Sequence, residues 1–172
     1  MHSHIAILME NQPGALSRVV GLFSQRGYNI DSLSVAPTQD PTLSRLTMTT
    51  SENPKIVNQI LRQLYKLVDV VMVQNLSDAE AYSIELAIIK LVSSREKIEK
   101  IISQAKELEG KILDDKDGHI MFETWGDSAD IDVLLASLKE EEFIEVTRSG
   151  LLGMTKGNVA LNTNDQTKIS YD

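Results

Sequence analysis

Glu10-Asn11-Gln12-Pro13-Gly14-Ala15-Leu16-Ser17-Arg18-Val19-Val20-Gly21-Leu22-Phe23-Ser24-Gln25-Arg26-Gly27-Tyr28-Asn29-Ile30 is the stretch that decides the fold. An apolar run from Ile5 to Met9 gives way here to a polar turn carrying Pro13 and Gly14. Leu16, Val19, Val20 and Phe23 then fall at i, i+3, i+4 and i+7, the spacing of one helix face. Arg26-Gly27 reads as a helix stop, because glycine enters the left-handed conformation without a steric cost. Tyr28-Asn29-Ile30 opens a new extended segment. The order is strand, Pro-Gly turn, helix, glycine stop, strand.

The same apolar spacing recurs in Val57-Ile60-Leu61-Leu64, Ile98-Ile101-Ile102-Ala105 and Ile131-Leu134-Leu135-Leu138. Each is one stripe of an amphipathic helix. Asn53-Pro54 supplies an N-cap followed by proline at the first helical position. Ser93-Ser94-Arg95-Glu96 has the form of a capping box, and Asp127-Ser128 offers further caps. Strand-like runs lie between: Ser3–Met9, Asn29–Ala36, Ser44–Thr50 and Val68–Val73, then Ser83–Val92, Lys111–Asp114, His119–Trp125 and Phe143–Arg148. Pro37–Thr42 and Asp115–Gly118 read as the turns between middle strands.

Both halves therefore read βαββαβ, and the fold class is α+β: two ferredoxin-like sandwiches, each a four-stranded antiparallel sheet with two helices on one face. The polar interruption Leu76-Ser77-Asp78-Ala79 divides a first domain, residues 1–76, from a second, residues 80–160. The polar tail 162–172 reads as disordered. Such a sheet leaves one face and two edges uncovered, and a half of about 75 residues builds only a marginal core. Pairing with a second copy, edge to edge, is the natural consequence, and would bring Asn29-Ile30 of one chain near a neighbour's turn.

Composition narrows the function. The 172-residue chain carries a net charge of -8 and scattered basic residues, which disfavours nucleic acid as a partner. No apolar run approaches the about 18 residues needed to span a bilayer, so no membrane role is expected. With no cysteine and no leader pattern, a cytoplasmic location is the simplest reading. No catalytic set is visible. His2 and His4 sit at the terminus without further metal ligands, His119 stands alone beside a hairpin, and the acidic runs Asp114–Asp117 and Glu140–Glu142 read as a turn and a solvated helix end. No metal site is expected.

The Asn11–Gly14 turn admits two readings. On spacing alone Gly14 only permits a tight turn and Asn11 only caps it. The functional reading adds that backbone N–H groups at the helix start can take a carboxylate. The amide oxygens of Asn11 and Asn29 can accept from an ammonium group, and Leu16 and Ile30 can line a small apolar pocket. Together these describe a site for a free aliphatic amino acid.

At these residues the chain resembles a known family. Met9 to Leu33, then Val35-Ala36-Pro37-Thr38, Asp40-Pro41-Thr42-Leu43-Ser44-Arg45, Gln63–Val70 and Glu145-Val146-Thr147-Arg148-Ser149-Gly150 are similar to the regulatory, or small, subunits of acetohydroxyacid (acetolactate) synthase, whose N-terminal half is an ACT domain. The resemblance implies a non-catalytic regulatory subunit for the first shared enzyme of valine, leucine and isoleucine synthesis. Such a subunit binds and activates the catalytic large subunit and confers feedback inhibition by valine. Thiamine diphosphate, magnesium and FAD would belong to that large subunit, leaving no cofactor in this chain. The resemblance also implies a homodimer through ACT domains, with the effector at the interface. One chain would offer Asn11, Gly14, Ala15 and Leu16, the other Asn29 and Ile30. The alternative is an amino-acid-responsive ACT regulator of another partner, such as a transcriptional regulator, which would need a DNA-binding element.

Overall fold

The computed structural model describes residues 2–104, 108–139 and 141–161. The tail read as disordered and Ala105 of the third helix stripe lie outside them. The described residues divide into two compact units, one built from the chain up to Tyr82 and again from Gly153 onward, the other Ser83–Leu152.

The first unit runs β1 (Ser3–Glu10), α1 (Ala15–Arg26), β2 (Ser32–Pro37), β3 (Leu43–Thr50), α2 (Pro54–Leu64) and β4 (Val70–Asn75). The strands lie in the order β2-β3-β1-β4, every neighbour antiparallel. That is the ferredoxin-like order which the apolar spacing predicts. Alternation along β1 puts Ile5, Ile7 and Met9 on one face, where they pack with Val19 and Phe23 of α1 and Ile60, Leu61 and Leu64 of α2. The opposite face carries Ala6, Leu8, Thr47 and Thr49, which are also buried, so it is not the uncovered face expected from the strand pattern. Residues 153–161 return to this unit, and Arg45 Nη2 donates to the Gly153 carbonyl at 2.6 Å.

Local chemistry sets the helix ends. Asn53 Oδ1 accepts from the N–H groups of Lys55 and Ile56, both at 3.1 Å, and Pro54 follows it. Gly27 closes α1 at φ 69°, and Tyr28 N–H reaches back to the Phe23 carbonyl at 3.0 Å. That return also lays Tyr28 edge-on against Phe23, with ring centroids 6.1 Å apart.

Two strands begin later than their apolar residues suggest. β2 starts at Ser32 rather than Asn29, because the Asn29 carbonyl accepts from Thr50 Oγ1 at 2.7 Å and the regular ladder opens only after Asp31. Asn29 and Ile30 thus lie in the α1–β2 connection. β4 starts at Val70 rather than Val68, because Val70 N–H closes a turn on the Leu67 carbonyl at 3.1 Å. Val68 stands outside the sheet, 86% exposed.

The second unit holds β5 (Ala81–Val92), α3 (Arg95–Gln104), β6 (Glu109–Lys116), β7 (His119–Gly126), α4 (Ser128–Ser137) and β8 (Glu142–Arg148), with sheet order β6-β7-β5-β8. A short strand that the sequence did not suggest, β9 (Leu152–Thr155), also pairs with β5. Ala87, Ile89 and Leu91 pack with Ile98, Ile120, Phe122, Ile131, Leu134 and Leu138. The α3 cap differs in detail from the expected box: Ser94 Oγ accepts from Lys97 N–H at 3.4 Å, so Ser94 takes the cap role.

Glu85 lies two residues before Ala87 and shares its face, a buried carboxylate at the edge of an apolar layer. Arg148, opposite Ala87 on β8, answers it with two hydrogen bonds of 2.9 and 2.8 Å. Burial pushes the Glu85 carboxyl up. Donors from Arg148 and Ser128, the Arg148 charge and the Gly150 N–H outweigh that and hold it below its ordinary value.

We predict that Phe23→Ala, which empties a fully buried ring site, lowers stability by about 3–5 kcal/mol in urea unfolding. Val68→Ala, at an exposed position, should stay within about 0.5 kcal/mol of the parent.

Candidate functional site

The turn between β1 and α1 is held from both sides. On one side is the β2–β3 hairpin. Asn11 N–H donates to the Thr42 carbonyl at 2.7 Å, and Asn11 Nδ2 donates to the Pro41 carbonyl at 2.9 Å. That hairpin is itself pinned by Asp40, whose Oδ1 accepts from Thr42 N–H at 2.9 Å and from Thr42 Oγ1 at 2.7 Å. These two bonds hold the Asp40 carboxyl below its ordinary value. Sequence reading took Pro37–Thr42 only as a turn; in the fold it is the shelf on which Asn11 rests.

On the other side is Asp69, in the α2–β4 connection. Its carboxylate is 1% exposed and accepts from Arg18 Nε, from Arg18 Nη2 at 2.8 Å and from Gln12 Nε2 at 2.7 Å. Its backbone carbonyl accepts from Glu10 N–H at 2.8 Å. The Arg18 hydrogen bonds are the main reason its carboxyl sits below the ordinary value; burial opposes them, while Gln12 and the Arg18 charge assist.

Between these supports the chain passes through Gly14 at φ 88°. A side chain there would be strained, and a Cβ would stand 2.9 Å from Arg18 Nη1. Among the described residues no side chain caps α1 and no acidic residue lies in its first turn. Ala15 N–H donates to the Gln12 carbonyl at 3.2 Å, and beyond it the helix start keeps its partial positive charge and N–H groups without a side-chain cap, features that favour an anion.

Beside the turn is a cavity of about 210 Å³. Met9, Ala15, Leu16, Val35, Ala36 and Pro37 give it an apolar lining, and Glu10, Asn11, Gln12 and Ser44 a polar rim. Of the residues proposed from sequence, Asn11, Ala15 and Leu16 meet at this cavity, and Gly14 stands in the adjoining turn. Asn29 and Ile30 do not line it. They precede Ser32, which aligns through Thr49 with His4 at the start of β1, whereas Met9 and Glu10 close the other end of that strand. Asn29 Nδ2 instead donates to Asp31 Oδ1 at 2.5 Å, and Ile30 packs against the core.

Sequence reasoning missed Arg18, Asp69 and the β2 residues Val35–Pro37. Asp69 carried a usable signal: an acid flanked by Leu67-Val68 and Val70-Val71 can be buried only with a cation beside it. Nothing in spacing points to Arg18 as that cation. Of the histidines, His2 Nδ1 lies 3.2 Å from Asp31 Oδ2 and His4 Nδ1 lies 3.1 Å from Thr49 Oγ1. No group of three metal-ligating side chains occurs among the described residues. No described helix is long and apolar enough to cross a membrane.

Residues 5–72 match the family described as AHAS small subunit-like ACT domain, and residues 84–157 match that described as small subunit of acetolactate synthase. The acetolactate synthase isozyme 3 small subunit of Salmonella typhimurium is 42% identical over 159 residues, covering 92% of this chain and 98% of that protein. This chain belongs to the acetolactate synthase small-subunit family. The Escherichia coli isozyme 3 small subunit is 41% identical over the same shares of both chains. The crystal structure of the small subunit from Thermotoga maritima superposes with a TM-score of 0.80 at 29% identity, over 92% of this chain and 99% of that one. Its membership makes the first unit an ACT domain and the chain a regulatory-type subunit connected with branched-chain amino acid biosynthesis.

The lowered Asp69 carboxyl has a pH consequence. Its contribution is fully present above the unfolded aspartate value of about 3.9 and is lost as pH falls through the lower folded value. We predict that the stability advantage of the parent over Asp69→Asn, read by thermal unfolding, holds at neutral pH and shrinks as pH is lowered below about 4.

Proposed function

We propose that this chain is the non-catalytic regulatory subunit of an acetolactate synthase, activating the catalytic large subunit and making it sensitive to valine. The observation that carries the reading is one juxtaposition: an uncapped helix start and the Asn11 amide beside an apolar cavity lined by Met9, Ala15, Leu16 and Val35. The helix start suits the carboxylate of a free amino acid. Asn11 already donates through Nδ2 to Pro41, which leaves its Oδ1 to accept from the ammonium group. The apolar lining suits an aliphatic side chain. Family membership supplies the partner, because relatives bear the name small subunit of this enzyme. On this reading the thiamine diphosphate, magnesium and FAD sit in the large subunit, and the complex works in the cytoplasm.

Asn29 and Ile30 enter through a second copy. β2 is an edge strand beside the cavity, so an antiparallel homodimer formed along that edge would bring the far end of one β2 toward the partner's turn. Such a site straddles two chains. Small changes in their pairing then alter both the cavity and the surface offered to the large subunit. Valine inhibits to the extent that it binds one arrangement better than another, a coupling typically of about 1–3 kcal/mol.

The test is synthase activity of the cognate large subunit with and without this chain across a valine titration. Activation followed by inhibition is expected; absence of activation overturns the assignment. We further predict that Gly14→Asp abolishes valine sensitivity and largely preserves activation. The new side chain would project toward Arg18 Nη1, where it disturbs the turn and the helix start that receives the effector's carboxylate. A fully valine-sensitive Gly14→Asp complex would mean that the site is misplaced.

A further inference from the structure

Asp69 is the best-buried carboxylate among the described residues of the first unit, and its bonds converge on one short stretch of chain. Its backbone carbonyl holds Glu10, its side chain holds Gln12 and Arg18, and those three residues bracket the Asn11–Gly14 turn. Glu10 and Gln12 stand on the rim of the cavity, whereas Arg18 and Asp69 do not line it. Asp69 adjoins β4 at one edge, whereas Val35–Pro37 of the cavity wall belong to β2 at the other. The Arg18 guanidinium backs the turn without lining the cavity. Nη1 lies against Gly14, and Nε and Nη2 grip the carboxylate in a two-point fork.

We infer that Arg18 and Asp69 are positioning residues for the effector: they set the turn that frames the cavity without touching the ligand. The inference rests on the effector site proposed above and deepens it. The pair is poor evidence for stability as such: Asp69 is buried but Arg18 is half-exposed, and desolvation of the carboxylate opposes the attraction. Its value is geometric. The planar fork orients the guanidinium, and in that orientation Nη1 stands 2.9 Å from where a Gly14 Cβ would lie. The pair also ties the turn to the α2–β4 connection. Displacement of the turn on ligand binding would therefore be felt at Leu67–Asp69, where Val68 stands exposed beside it.

The experiment uses the full chain and three readouts: valine affinity by calorimetry, hydrogen exchange in peptides spanning residues 10–16, and melting temperature. Asp69→Asn and Arg18→Gln should each weaken valine binding by about tenfold or more, the scale on which supporting contacts act on the groups they orient. The double variant should be no weaker than either single one, because the two side chains act as a unit. Arg18→Lys, keeping the charge and losing the fork, should fall between. Exchange in residues 10–16 should quicken in step with the loss of affinity. A purely structural pair would lower the melting temperature and leave affinity unchanged well below it. Wild-type affinity in folded Asp69→Asn would therefore overturn the inference. Should Asp69→Asn fail to fold, Arg18→Lys decides it: wild-type affinity and exchange overturn it, and weakened affinity with quickened exchange supports it. If the parent chain binds no valine, alone or with the large subunit, the effector reading fails. Exchange in residues 10–16 then reports separately whether the pair holds the turn.

Discussion

A carboxylate buried to 1% exposure at the end of a sheet cannot remain charged without a cation and a full set of donors. Asp69 meets that demand by drawing Arg18, Gln12 and the Glu10 backbone toward it. Once those contacts form, the path from β1 into α1 is determined. The chain must leave the sheet at Glu10, pass Arg18 at close range and enter the helix through a residue at φ 88°, which favours glycine. The conformation of Gly14, the uncapped helix start and the neighbouring cavity all follow from the same requirement. The hairpin carrying Asp40, Pro41 and Thr42 answers from the other side through Asn11.

The second unit solves a similar problem differently. Glu85 is also buried and also met by a two-point arginine fork, yet Arg148 reaches it from a neighbouring strand instead of across a helix start. Ser149 N–H donates to the Leu86 carbonyl at 2.9 Å and Leu86 N–H donates to Ser149 Oγ at 3.0 Å, continuing the attachment past the strand end. These contacts give a physical reason for the Thr147-Arg148-Ser149-Gly150 segment that carries part of the family resemblance. They tie β5 to β8 within the sheet, whereas the Asp69 contacts support a turn.

Much of this was legible along the chain. Four stripes at helical spacing and eight strand-like runs were enough to predict two βαββαβ units, because amphipathic periodicity is a local property that the core must respect. Strand starts were less legible. Asn29 and Val68 read as strand residues from their apolar surroundings, but a Thr50 hydroxyl and a turn on Leu67 end the ladder before them. β9 is four residues long and pairs with a strand some 60 positions earlier in the chain, so no local pattern marks it. For the candidate site, Asn11, Gly14, Ala15 and Leu16 could be picked out because one turn joins them. Arg18, Asp69 and Val35–Pro37 could not, because they come from separate elements.

The sequence by itself determined the α+β class, the helix faces, the glycine-dependent turn and membership of the acetolactate synthase small-subunit family. All of these depend on residue type and near-neighbour spacing. Only the tertiary structure decided which cation meets Asp69, that the Pro41–Thr42 hairpin supports Asn11, and that Asn29 and Ile30 stand at the far end of the sheet from the cavity. Those facts depend on sheet order and register. Sheet pairing brings residues 30 to 57 positions apart into contact through cooperative packing, and no stretch of the chain encodes such a contact alone.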